Sequence, residues 1–172
     1  ASLFERKNSV EHVSKSIRHI FSQEEKIKHI AKELSKHSDI YVIGRGFLYP
    51  VAREIALKIK EISYIHAEGM MGGELKHGTL ALIEEGTPVI VLMDGKNEIV
   101  SNAMEVKARG GRIIEIGGSG VLGEAISIEA EDKLSSALSA AVIGQLLTYY
   151  IAREKGLPID KPRNLAKVCT TL

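Results

Sequence analysis

One cysteine, Cys169, is all the thiol this chain carries. A single thiol excludes an intramolecular disulfide framework and a multi-cysteine zinc site, and it fits a reducing compartment. An excess of either charge is also missing: 23 Lys and Arg stand against 22 Asp and Glu, with no long basic run. The electrostatic footprint of a nucleic-acid binder is therefore absent. No apolar run is long enough for a bilayer. The nearest, "ALSAAVIGQLLTYYIA" at 137–152, is short and carries Ser139, Gln145 and Thr148, so it reads as a buried core helix and no membrane partner is expected. The opening "ASLFERKNSVEH" turns polar after Phe4 and reads as no signal peptide. A chain that begins at Ala1 reads as a processed product or a fragment of something longer. No internal repeat or low-complexity segment is visible.

What is present suits one globular domain: 172 residues, 44% apolar and 26% charged, enough for a real core. Val10, Val13, Ile17 and Ile20, then Ile27, Ile30, Ala31 and Leu34, recur at helical spacing and predict two amphipathic helices. "DIYVIG" at 39–44, "PVIVLMD" at 88–94 and "RIIEIGG" at 112–118 are short β-branched runs that predict buried strands, and "AISIEA" predicts a short edge strand. Between them "PVAREIALKIKEIS" and "NEIVSNAMEVKARGG" read as helices, the first with Pro50 in its opening turn and a core stripe of Ala52, Ile55, Ile59 and Ile62. A last helix is predicted over about 135–155, closed by Gly156 and Pro158. Helices alternating with continuous apolar strands predict an α/β fold: a three-layer α/β/α sandwich with a mostly parallel sheet of four or five strands, flavodoxin-like. The division expected is two packing helices over 1–36, the main domain over 37–156 and a tail over 157–172. Ligands of such sheets bind beyond the carboxyl ends of the strands. Those ends are expected at "GRGFLYP", at the "HAEGMMGGELKHG" segment and in the loop after Asp94.

Four stretches could carry chemistry. "GRGFLY" sits as a dinucleotide fingerprint would, but ends on Tyr49 where close packing needs Gly or Ala, so no nicotinamide cofactor is expected. It remains either a tight turn or a place where a sugar or phosphate meets backbone amides. On the next helix Glu54 and Lys58 read as a solvated i,i+4 pair, or Lys58 and Glu61, one turn apart, point together into a cleft and move protons at a sugar carbon and its hydroxyl. "GMMGGELKHG" holds Glu74 and His77 without a third ligand, so no metal is expected. His77 is either a surface-loop histidine or is carried toward a ligand by the flexible glycines. The tail "LPIDKPRNLAKVCTTL" is either frayed or docked through Leu165, Ala166, Val168 and Cys169. Docked, it would bring Lys167 into a partly apolar place where a neutral amine attacks a ketone. Cys169 itself reads as a small buried residue.

Taken together, "GRGFLYPVAREIALKIKEISYIHAEGMMGGELKHG", "VKARGGRIIEI" and "DKPRNLAKVCTTL" resemble the isomerase region of the glutamine–fructose-6-phosphate aminotransferase (glucosamine-6-phosphate synthase) family, from about Ser9 to Leu172. The resemblance implies the second of that family's two sugar isomerase (SIS) domains plus its C-terminal tail. The full enzyme would make glucosamine 6-phosphate from fructose 6-phosphate and glutamine-derived ammonia, as a cytoplasmic homodimer. The implied catalytic residues are Glu61 as the base between C1 and C2, Lys58 at a neighbouring hydroxyl, His77 for ring opening in the neighbouring subunit's site, and Lys167 as the Schiff-base amine. Ala166 would contact substrate. The phosphate would be held mainly by the first SIS domain, which this chain lacks, as it lacks the glutaminase domain. An isolated chain with half a site is expected to turn over poorly or not at all. Two other roles share the fold: a non-catalytic sugar-phosphate sensor and a subdomain used for dimerisation.

Overall fold

The computed structural model describes residues 3–165, with side chains described from Glu11 onward. Five strands form one fully parallel sheet in the order β2-β1-β3-β4-β5. They are β1 (Asp39–Gly44), β2 (His66–Met71), β3 (Pro88–Leu92), β4 (Arg112–Ile116) and β5 (Glu124–Ile126), and the helices are α1 (Leu3–Ser22), α2 (Glu24–Leu34), α3 (Tyr49–Lys58), α4 (Asn97–Lys107) and α5 (Lys133–Glu154). This is the predicted flavodoxin-like order.

Alternation along each strand divides the core in two. Ile40 and Val42 of β1, Ile90 and Leu92 of β3, Ile114 and Ile116 of β4 and Ile126 of β5 face α1, α2, α3 and α5. Tyr41, Ile43, Val89, Val91 and Ile113 face α4 and the segment before β3. Helix α5 is long and apolar enough to cross a membrane by length and composition alone. Its Ile143, Leu147 and Ile151 are fully buried, as the core-helix reading expects. Asp132 caps it, accepting from the Ser135 backbone N–H at 2.7 Å, with Ser135 returning the bond in a capping box. At Gly144 a Cβ would lie 2.3 Å from Ile55 Cγ1, so the missing side chain is what lets α5 approach α3. Buried Glu115 of β4 accepts from the backbone N–H groups of Gly120, Leu122 and Gly123, which satisfies its carboxylate and pins the turn into β5.

Two expectations fail. Residues 66–71, not counted among the expected strands, form strand β2. Only Ala67 and Met70 of this edge strand are buried, one in each half of the core, while His66, Glu68 and Met71 are exposed, so the apolar run used to find β1 and β3 is absent. Gly69 serves this strand: a Cβ there would meet Ala52 O and Arg53 Cα at 2.6 Å, against the backbone of α3. Nor does Ile62 extend the α3 core stripe. After Lys58 the helix widens into a π turn, Ile59–Ser63. The extra residue per turn rotates the next side chains, leaving Ile62 half-buried and Ser63 fully buried, its hydroxyl donating to Ile59 O at 2.6 Å.

Candidate active site

Helix α3 leaves the carboxyl end of β1 through a 3₁₀ turn at Gly46–Leu48, with proline in its first turn. It returns across the sheet face, and its π turn delivers the chain to His66, which pairs with Asp39 at the start of β1. The C-terminal end of α3 therefore lies at the amino ends of the strands. There Lys58 Nζ donates to Glu61 Oε2 at 2.7 Å and stands 3.5 Å from Glu54 Oε1. Lys58 thus makes the i,i+4 pair with Glu54 and the contact with Glu61 one turn on at the same time. The Lys58 and Glu61 side chains are 33% and 29% exposed, so the pair is reachable by a ligand but not enclosed. The hydrogen bond that Lys58 donates to Glu61 raises the lysine pKa against the opposing effect of burial, so this amine is a cation at neutral pH. A carboxylate beside a fixed ammonium can take a proton from carbon while the cation steadies the charge appearing on oxygen.

His77 occupies a different place. β2 ends at Met71, and the 3₁₀ segment Gly72–His77 follows at the carboxyl end of the sheet, as expected for the "GGELKH" part of that stretch. His77 is 71% exposed and its Nδ1 lies 3.0 Å from Glu74 Oε2. Strands of this length span roughly 20 Å. The structure thus brings Lys58, Glu61 and Glu54 together and sets His77 at the opposite end of the sheet. The reason is topological: a helix connecting parallel strands runs antiparallel to them, so residues before and after β2 emerge at opposite ends.

The carboxyl end also holds a cleft of about 620 Å³, lined among others by Arg45, Gly46, Phe47, Asp94, Lys96 and Lys133. It lies where the sequence places a ligand crevice, at the "GRGF" turn and beyond Asp94. Lys58 and Glu61 do not line it.

The tail returns to the amino end. Past Gly156 it carries no helix among the described residues, and the backbone N–H of Arg163 donates to the Tyr64 hydroxyl at 2.8 Å. The Arg163 guanidinium sits 4.3 Å from the Tyr64 ring centroid. Ala166, Lys167 and Cys169 lie outside the described residues. Tyr64 was not singled out by sequence reasoning. The usable signal is local: a helix must stop between Ser63 and β2, and a tyrosine stands where glycine or asparagine is the ordinary stop.

Comparison with known proteins follows this geometry. A glutamine–fructose-6-phosphate aminotransferase [isomerizing] of Clostridium acetobutylicum is 47% identical over 161 residues, covering 88% of this chain and 26% of the relative. That of Methanothermobacter thermautotrophicus is 43% identical, over 94% of this chain and 29% of the relative. This chain thus spans less than a third of the length of the curated relatives it matches. Among solved structures, the C-terminal domain of glucosamine-fructose-6-phosphate aminotransferase from Francisella tularensis superposes with a TM-score of 0.84 at 31% identity, over 92% of this chain and 48% of that one. The family profile described as SIS domain matches residues 33–149, which takes in the whole sheet and α3, and on that match the chain belongs to the SIS-domain family.

Proposed function

We propose that this chain is the second SIS domain and C-terminal tail of a glutamine–fructose-6-phosphate aminotransferase, with two packing helices before residue 37 and the tail from 157. It works as part of a cytoplasmic enzyme that makes glucosamine 6-phosphate from fructose 6-phosphate. Glu61 takes the proton from C1 of the open-chain sugar and returns it at C2. Lys58, held cationic by Glu61, serves the neighbouring hydroxyl. Lys167 adds its amine to the C2 carbonyl, water leaves, and a Schiff base forms; ammonia then displaces the lysine amine at C2, so the amino nitrogen of the product comes from ammonia and Lys167 is regenerated. Ala166 contacts the sugar, whose phosphate is bound mainly outside this chain.

The observation that carries the reading is the Lys58–Glu61 pair, fixed at 2.7 Å by a π turn yet one-third exposed. The names of the relatives support the substrate class. The separation of His77 from the pair supports the role expected for it, ring opening in a second subunit's site, and hence a homodimer. The test has two parts. The isolated chain, given fructose 6-phosphate and ammonia, should turn over at most weakly. In the full-length polypeptide, Lys167→Arg keeps the charge and loses Schiff-base chemistry, so product formation should fall by about a thousandfold or more. Wild-type rates in that variant would overturn the assignment.

A second reading rests on the carboxyl-end cleft, which presents Arg45, Lys96 and Lys133 away from the pair. It makes the chain a non-catalytic sugar-phosphate-binding module. Calorimetry on the isolated chain separates the two. Fructose 6-phosphate binding lost in Lys96→Ala, in a chain whose full-length form tolerates Lys167→Arg, favours the module.

A further inference from the structure

We propose that Tyr64 is a positioning residue that pins the C-terminal tail at Arg163 and thereby sets where Lys167 can reach; this rests on the reading of Lys167 as the Schiff-base amine. Two independent features of Tyr64 point the same way. Its backbone is left-handed, φ 57° and ψ 21°, a conformation that tyrosine adopts only against a steric cost. Glycine or asparagine would end the π turn without that cost. The side chain that replaces them is used twice, both times by one tail residue: its hydroxyl accepts from the Arg163 backbone N–H at 2.8 Å, and its ring lies 4.3 Å beneath the Arg163 guanidinium.

The location gives the contact a consequence. Tyr64 follows Glu61 by three residues, so the tail is tied to the same helix end that holds the Lys58–Glu61 pair. Immediately beyond the tie, Asn164 turns the chain through a second left-handed residue, φ 60°. Lys167 is then four residues from the pinned Arg163, at most about 14 Å of extended chain. A tail free from Gly156 onward would have eleven residues to wander, about 38 Å. Pinning at Arg163 thus shortens the chain that tethers the amine to the helix end holding the pair, the situation in which positioning contributes to rate.

The experiment uses two preparations. On this chain, trypsin is applied under native conditions and release of the peptide after Arg163 is followed by mass spectrometry. Tyr64→Asn keeps the left-handed stop and removes ring and hydroxyl, and should speed that release by about fivefold or more. In the full-length polypeptide, the adduct between fructose 6-phosphate and Lys167 is trapped by borohydride: the amine nitrogen bonds to C2, the carbonyl oxygen leaves as water, and hydride reduces the C=N bond. Tyr64→Asn should slow trapping and kcat about tenfold, and Tyr64→Phe about threefold, with KM for fructose 6-phosphate within about twofold of wild type. A thermal midpoint for Tyr64→Asn at or above wild type shows that the fold is retained; if it falls, Tyr64→Phe decides. Trapping and tryptic release unchanged in the deciding variant would overturn the anchor. Lys167→Arg run alongside keeps the outcomes apart: a dead Lys167→Arg with normal Tyr64 variants defeats the anchor alone, whereas an active Lys167→Arg defeats the reading beneath it.

Discussion

Lys58 shows how much one residue's surroundings decide. It stands between Glu54 and Glu61, and the shorter contact, 2.7 Å to Glu61, dominates the rise in its pKa. A group held by an anion is protonated more tightly in the folded state than in the unfolded one. Its contribution to stability is therefore fully present below the unfolded lysine value, about 10.4, and is lost as pH rises through the higher folded value. Lys58→Met should lower stability by less than about 1 kcal/mol at pH 7, because the pair is only partly buried. Urea midpoints taken from pH 7 to 11.5 should show the gap between wild type and variant closing at the alkaline end. A gap that stays constant would mean that Lys58 contributes through its methylene stem and not its charge. In the full-length polypeptide the same variant should lose about a hundredfold in kcat, read from product formation, as expected when a proton-handling group is removed.

At the scale of elements, the close approach of α3 and α5 holds the pair in place. Gly144 faces Ile55 with no room for a Cβ, which would lie 2.3 Å from a side-chain carbon. Gly144→Ala should improve helix propensity by about 1 kcal/mol and still destabilise the protein by about 1–3 kcal/mol net, since the overpacking outweighs the gain. A thermal midpoint that rises would show that Ile55 swings aside freely. The same elements show what was legible in the sequence. β1, β3 and β4 are buried on both faces, so each is a continuous apolar run that one can read directly. β2 buries only Ala67 and Met70, loses bulk at Gly69 where it meets α3, and so carries no apolar run to read. The three-residue spacing of Lys58 and Glu61 was visible because helical spacing alone puts them together. Tyr64 was not, because its partner Arg163 lies 99 residues along the chain and no local pattern announces a contact of that separation. The π turn was equally hidden: Ile62 has the period of a core residue, and only packing against the sheet decides where the helix widens.

At the scale of the whole molecule, the layers among the described residues are unequal, with four helices on one face of the sheet and one on the other, and several acids share an electrostatic habit. Asp132 caps α5 and has its pKa lowered chiefly by the backbone N–H of Ser135. Glu24 of α2 is lowered by the Tyr150 hydroxyl of α5 first and by Lys28 second. Glu33 is lowered by Lys36, and Asp39, at the start of β1, by Ser38 and then His66. Each is more acidic folded than unfolded. Their contribution is complete above the unfolded carboxylate range, near pH 4, and is lost as pH falls through the lower folded values. Asp39 and Asp132 are exposed and Glu24 and Glu33 only half-buried, so each share is small, but all act in the same direction and in the same pH window. Stability measured by urea should therefore be flat with respect to these groups from about pH 5 upward and decline from about pH 4 to pH 2. Asp132→Asn makes the attribution specific, because asparagine caps a helix about as well as aspartate but does not titrate. The variant should match wild type at low pH, fall slightly below it at neutral pH, and show a shallower acid slope. An unchanged slope would place the acid sensitivity elsewhere, in the unfolded chain or in carboxylates outside these four.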